Sequence, residues 1–252
     1  MPKSKLDEFY RVGEEGNWTN QPPNRKDWHL AANWIASNYE RGSVLDVGCF
    51  AGGFLEFLGP DFKRFGIEIH KGAAKKAEQK GVQILGEDYN SLETASDTFD
   101  VVVAMDVIEH VPDPYFFLKL LVGVLRPGGS IIISTGNTQA TSWRWMGSRY
   151  WYCTIAEHIS FINPAWCYQV AQQINLSVVR IEKFSHTAQA IQQRFIEFGK
   201  NAVYLAAPGL MQWIRKRGFG RLDATKHVEL SDHPPAWLSA KDHLIAFFER
   251  PL

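Results

Sequence analysis

Apolar and polar positions fall into blocks along this chain, and the blocks change period. Helical spacing in DWHLAANWIASNYERG predicts a first helix after a polar start, with Asp27 as its cap and Gly42 as its stop. Ser43–Val47 is a short apolar run that breaks at a glycine turn, after which Phe54–Leu58 begins a helix. Further strands are predicted at Arg64–Ile69, Val82–Leu85, Asp100–Met105, Ser130–Ser134, Leu176–Phe184 and Asp242–Glu249, with helices at Lys71–Lys80, Tyr115–Leu125 and Pro164–Ile174. The fourth strand, DVVVAM, is continuously apolar, as a strand covered on both faces must be. Strands alternating with helices predict an α/β fold with right-handed crossovers and a doubly wound, Rossmann-like sheet. The organisation read from the pattern is an N-terminal helical segment over 1–42, a core over 43–185 plus 238–252, and a helical cap over 186–237 inserted between strands six and seven.

In such a sheet, ligands sit beyond the carboxyl ends of the strands, so the turn in SVLDVGCFAGGFLEFLG is the first candidate site. A dinucleotide fingerprint needs glycine at its middle position, where the pyrophosphate approaches. The register here gives Gly48, Phe50 and Gly53, and the phenyl group obstructs that approach. S-adenosylmethionine has no pyrophosphate and asks less of the position. A tight strand–helix turn with no ligand is the third reading. Glu68 lies at the end of the second strand, about 20 residues beyond the loop, where a ribose acceptor belongs. Asp88 in GEDYN follows the third strand, where it would meet an adenine amino group or serve only as turn chemistry.

VLDVGCFAGG, GIEI, GEDYN, FDVVVAMDVIEHVPDP and LRPGGSIIIST, in that order and spacing, resemble the class I S-adenosylmethionine-dependent methyltransferases, in particular the broad group that includes ubiquinone-biosynthesis-type O-methyltransferases. The resemblance covers about residues 40–185, and DHLIAFFE is similar to that family's last antiparallel strand. It implies a seven-stranded sheet of order 3-2-1-4-5-7-6 and S-adenosyl-L-methionine as cofactor. It implies that Asp46 and Gly48 flank the methionine end of the cofactor and that Gly52 belongs to the same loop. It further implies that Glu68 accepts from ribose, that Asp88 and Tyr89 meet adenine, and that Asp106 and Val107 border the sulfonium. Phe50 stands where that family more commonly has glycine.

Methyl transfer to a hydroxyl needs a group that takes its proton, and histidine suits that task. His110, in DVIEHVPDP, and His158, in AEHISFINP, both follow strands at the carboxyl edge and are the candidate catalytic residues; as packed, hydrogen-bonded side chains they would serve structure instead. The spacing D-x-x-E-H is similar to a metal motif of small-RNA 2′-O-methyltransferases and some quinone-biosynthesis O-methyltransferases. A divalent cation held by Asp106, Glu109, His110 and His158 is therefore an alternative, not the favoured reading. TSWRWMGSRYWYC is dense in aromatics and reads as an acceptor wall or as packing. In the cap, NAVYLAAPGLMQWI followed by IRKRGFGR suits weak peripheral contact with anionic lipid, or a helix packed on its own domain or on a second copy.

Composition narrows the partners. Among 252 residues, 27 basic and 27 acidic side chains balance, so no global field favours nucleic acid. Three cysteines without paired spacing suggest a reducing compartment, and no apolar leader or bilayer-length run is present, so a cytoplasmic location is expected. The expected partner is a small-molecule methyl acceptor: a quinol, sugar, lipid precursor or secondary metabolite. The competing functions are an NAD- or FAD-dependent oxidoreductase and a non-catalytic cofactor-binding subunit.

Overall fold

The computed structural model describes residues 25–95, 98–186, 190–217, 233–235, 237 and 239–252. Seven strands form one sheet: β1 (Gly42–Val47), β2 (Phe62–Ile67), β3 (Gln83–Gly86), β4 (Phe99–Met105), β5 (Leu125–Gly136), β6 (Ser177–Phe184) and β7 (His243–Glu249). Their order is β3-β2-β1-β4-β5-β7-β6, with β7 antiparallel to both neighbours, as the family resemblance implies. All seven residues of β4 are buried, which accounts for its unbroken apolar run.

Helices cover both faces. α1 (Lys26–Asn38) and α2 (Lys71–Gln79) bring Ala31, Ile35 and Ala77 against Val44, Val101, Val103 and Phe247. On the other face, α3 (Pro114–Gly123) and α5 (Pro164–Gln173) bury Phe117, Leu121, Cys167 and Val170 against Leu45, Val102 and Ile133. The short α4 (Thr141–Met146) opens a separate aromatic cluster in which Trp143, Tyr150 and Tyr152 are buried. The aromatic stretch thus packs largely onto itself. Trp145 is its exposed member and stacks on Phe198 with ring centroids 5.1 Å apart.

The structure corrects several boundaries. Asp27 does not cap α1: the cap position is Arg25, and the Asp27 side chain is fully buried, accepting from Ser134 Oγ at 2.8 Å. The helix stops at Asn38, and Gly42 opens β1. After the glycine loop there is no α-helix but a single 3-10 turn, Leu55–Phe57. β5 begins at Leu125, before Pro127-Gly128-Gly129, and a register jump between Phe99 and Val101 of β4 absorbs the extra residues.

α6 (Ile191–Ala206) and α7 (Pro208–Lys216) lie between β6 and β7 in the chain. Residues 1–24 of the expected N-terminal segment, and 187–189, 218–232, 236 and 238 of the expected cap and its flank, lie outside the described residues. Among the described residues, no helix is long and apolar enough to cross a membrane. Cys49 and Cys167 are buried and Cys153 is half-buried; all three are free thiols.

Candidate active site

The β1 exit loop turns through three left-handed positions, Gly48 (φ +79°), Phe50 (φ +46°) and Gly52 (φ +73°). The amides of Gly48 and Cys49 donate to the Ile67 carbonyl at 2.9 and 3.1 Å, folding the loop over the end of β2. A Cβ at Gly48 would lie 2.7 Å from Val107 Cγ2, so the loop and the β4 exit approach closely only because this residue is glycine. Gly48→Ala is expected to combine that clash with a left-handed cost of about 1–2 kcal/mol. Phe50→Gly relieves the same backbone cost at a half-buried side chain and is expected to stay within about 1 kcal/mol of the parent. Thermal unfolding of the two variants checks both outcomes.

Glu68 ties the loop to β2. Its Oε2 accepts from the Phe50 amide and its Oε1 from the His70 amide, each at 2.8 Å. This tether holds Phe50 in a conformation glycine adopts freely. Burial pushes the Glu68 carboxyl up, and the amide bonds oppose that shift.

A cleft of about 300 Å³ opens beside the loop, bordered by Arg25, Trp28, Asp46, Gly48, Phe50 and Met105. Asp46 is 3% exposed; burial first, and the Glu68 carboxylate second, push it up to about 8, against the pull of Arg25. Arg25 is the functional candidate that sequence reasoning missed. Its Nε donates to Asp27 at 3.1 Å, its Nη2 bonds Asp27 as well, and the same Nη2 donates to Asp106 Oδ2 at 2.6 Å. Burial works against the guanidinium charge, but Asp106 and Asp27 outweigh it and hold Arg25 ionised. Burial likewise opposes the Asp106 carboxylate, and Arg25 more than reverses this, holding it well below the usual range. Asp106 is itself left-handed, φ +53°.

Of the expected cofactor residues, Asp46 and Gly48 line this cleft. A Cβ at Gly52 would meet Val82 Cγ2 at 3.1 Å and Ala77 of α2 at 3.4 Å, and Val107 abuts Gly48. Asp88 caps the turn Tyr89–Thr94, its Oδ1 accepting from the Asn90 amide at 3.0 Å, while the Tyr89 ring meets Phe117 edge-on at 5.2 Å. These two residues stand beyond β3, away from the cleft walls.

The histidines converge. The amides of Ile159 and Ser160 donate to the Glu109 carbonyl at 2.9 and 3.0 Å, which draws the segment after β5 onto the turn Ile108–His110. The His110 and His158 rings then sit 4.9 Å apart. His110 Nδ1 lies 3.1 Å from the Glu157 carbonyl and His158 Nδ1 3.0 Å from the Tyr152 carbonyl. Each neutral ring therefore carries its proton on Nδ1 and its lone pair on Nε2. Burial lowers both pKa values, His158 to about 4, where the neighbouring His110 adds to the effect.

Glu109, His110 and His158 bring one ligand atom each within 4.8 Å of one another, but Asp106 is not among them and groups instead with His186 and His243. The left-handed Asp106 backbone turns its carboxylate toward Arg25, so the four-residue metal set read from D-x-x-E-H does not assemble. Both Glu109 oxygens are taken: Tyr152 Oη donates to Oε1, and Thr135 Oγ1 donates to Oε2 at 2.9 Å. Burial, then the Asp106 charge, push Glu109 up to about 8, against the hydrogen bond from Tyr152. The Glu109–Tyr152–Thr135 group, and the polar pair Asp242-His243 at the start of β7, also escaped sequence reasoning.

The methyltransferase-domain family matches residues 24–181. A ubiquinone biosynthesis O-methyltransferase from Aeromonas salmonicida is 31% identical over 172 residues, 63% of this chain and 71% of that protein. One from Coxiella burnetii is 26% identical over 202 residues, 72% and 85% of the two chains. Among solved structures, magnesium protoporphyrin IX methyltransferase from Synechocystis, crystallised with S-adenosylhomocysteine, superposes with a TM-score of 0.63 at 11% identity over 98% of this chain and 99% of the other. The N-methyltransferase NodS from Bradyrhizobium japonicum gives 0.56 at 16% identity over 98% of each. The dinucleotide-dependent alternative is thereby set aside. The glycine loop, its acidic tether and the family match agree: the chain belongs to the class I S-adenosylmethionine-dependent methyltransferases.

Proposed function

We propose that this methyltransferase binds S-adenosylmethionine along the cleft after β1 and methylates an oxygen of a small molecule, with a phenol or quinol as the best-supported acceptor. The observation that carries the oxygen reading is the pair of neutral histidines, each with Nδ1 committed to a backbone carbonyl. The ubiquinone-biosynthesis names of its relatives support a quinol-like acceptor.

The residues fit the cofactor. Gly48, which admits no Cβ, gives the backbone close approach. Buried Asp46 offers a counter-charge to an amino group, and Arg25 offers donors to a carboxylate. Glu68 takes ribose hydroxyls on the lone pairs its two amides leave, Asp88 with Tyr89 meets the adenine, and Gly52 seats the loop on α2. Asp106 and Val107 border the sulfur. When bound, the cofactor supplies a methyl group activated by its sulfonium. The chain's task is to align the acceptor and hold its proton: His110 Nε2 accepts the hydroxyl hydrogen and His158 orients the ring beside it.

The same proposal includes the core over 43–185 plus 238–252 with its cap over 186–237, and a cytoplasmic location. A second reading concerns the cap. Phe195 and Trp213 are exposed at 72% and 52% and lie near Arg194, Arg215 and Arg217 in sequence, which favours weak contact with anionic lipid. Pelleting with anionic vesicles at low salt tests it, and no co-sedimentation removes it.

Cofactor binding is expected to depend on pH. Between about pH 4 and 8 the folded chain keeps a proton on Asp46 that the unfolded chain has released, so this group's contribution lowers stability as pH rises. A cationic amino group reverses the preference in the complex. S-adenosylhomocysteine affinity is therefore expected to rise toward pH 8, by up to about tenfold per unit, as read by calorimetry.

The acceptor class is tested with methyl-labelled S-adenosylmethionine and matched panels of phenols, quinols and amines. Label on hydroxyls supports the reading, and label on amines alone overturns it.

A further inference from the structure

One group of side chains at the carboxyl edge has no part in these roles beyond Asp106. Asp106 follows β4, His186 follows β6 and His243 opens β7, and one ligand atom of each lies within 4.8 Å of the other two. The topology brings them together. Antiparallel β7 starts where β5 and β6 end, and its register pairs His243 with both Gly136 and Phe184. The His186 and His243 rings meet edge to face at 4.5 Å.

Each member is fixed from behind. His243 Nδ1 lies 2.9 Å from Asp242 Oδ1, and Asp242 Oδ2 accepts from Tyr150 Oη at 2.5 Å. Asp242 and His243 are 3% and 5% exposed. This chain commits Nδ1 as a donor and leaves the Nε2 lone pair for the cluster, the arrangement that supports metal-bound imidazole from the outer shell. His186 Nδ1 stands 3.7 Å from Asp27 Oδ1. Asp106 supplies an independent sign: Oδ2 is held by Arg25, whereas Oδ1 is buried and accepts no hydrogen bond. A buried carboxylate oxygen without a partner is costly, and a cation would satisfy it.

We propose that Asp106, His186 and His243 form a binding site for a first-row divalent cation, with its open positions facing the methyl acceptor. Two imidazoles and one carboxylate suit zinc, cobalt, nickel or ferrous iron better than magnesium or calcium. Such an ion makes bonds of about 2.0–2.1 Å to imidazole and carboxylate. Asp27, Asp106 and Asp242 offset the nearby Arg25 charge. The Glu109 cluster is the poorer host, because hydroxyls already occupy both carboxylate oxygens. The acceptor-facing part of this proposal rests on the oxygen-methylation reading: a Lewis acid there would lower the pKa of the acceptor hydroxyl.

The test titrates the full chain, stripped with chelator, with Co²⁺ alone and follows visible absorption; S-adenosylhomocysteine binding is measured on the same samples. The expected result is one ion per chain, affinity at least tenfold weaker in His186→Ala and His243→Ala, about 10–100-fold weaker in Asp242→Asn, and unchanged in His158→Ala. His186→Ala decides the matter should a buried substitution fail to fold. No uptake by the parent chain, parental affinity in His186→Ala, or loss confined to His158→Ala overturns the proposal. Retained S-adenosylhomocysteine binding without Co²⁺ uptake fails this site alone. Co²⁺ uptake without S-adenosylhomocysteine binding upholds the site and fails the cofactor reading.

Discussion

Glu68→Ala is expected to weaken S-adenosylhomocysteine binding by about 10²–10³-fold. Two effects combine. In the proposed role the carboxylate would make charge-assisted hydrogen bonds to ribose hydroxyls, and losing a pair of them would cost about 3–4 kcal/mol, at about 1.4 kcal/mol per tenfold. The Phe50 and His70 amides also lose their acceptor, which frees a loop whose Phe50 is held at φ +46°. Glu68→Gln keeps an acceptor oxygen and is expected to fall between parent and alanine. Calorimetry measures the loss, and thermal unfolding separates it from collapse of the loop. A folded Glu68→Ala protein binding within threefold of the parent contradicts the role.

His110→Ala and His158→Ala are expected to lower kcat by about 10²–10⁴-fold while leaving S-adenosylhomocysteine affinity within a few-fold of the parent. The split follows from position: both rings belong to the cluster at the β4 and β5 exits, and neither borders the cleft beside Gly48. Burial lowers both pKa values, and His158 protonates only near 4. Between about pH 6.5 and 4 the unfolded chain carries a proton at His158 that the folded one does not, so this group lowers stability as pH drops, and His110 acts in the same direction. A packing role alone predicts unfolding instead, with kcat per folded molecule unchanged. Steady-state kinetics beside circular dichroism distinguishes the two.

The fold was largely legible because its signals are local. DVVVAM reads as a doubly covered strand, and each expected strand appears within a few residues of its place. The boundaries failed where tertiary bonds outweighed propensity. Asp27 has the chemistry of a cap, yet its carboxylate is drawn inward by Arg25 and Ser134. Phe54–Leu58 has helical spacing, yet Gly53 and Pro60 leave room for only one 3-10 turn. The site was half legible. Glu68 is singled out by its spacing beyond the glycine turn, and Asp46 and Gly48 by the family resemblance. Arg25, Tyr152, His186 and His243 join it from four separate segments, and no local period relates them. D-x-x-E-H brings Glu109 and His110 together with His158, but spacing gives residue separation, not the sign of φ, and the left-handed Asp106 is bound by Arg25 and groups with His186 and His243 instead.

Binding of an adenosyl sulfonium compound in the β1 exit cleft is read by calorimetric titration of the full chain with S-adenosylhomocysteine and, separately, NAD. Saturable one-to-one binding of S-adenosylhomocysteine and none of NAD is the expected result. Saturable binding of NAD, or no binding of S-adenosylhomocysteine by folded protein, would contradict it.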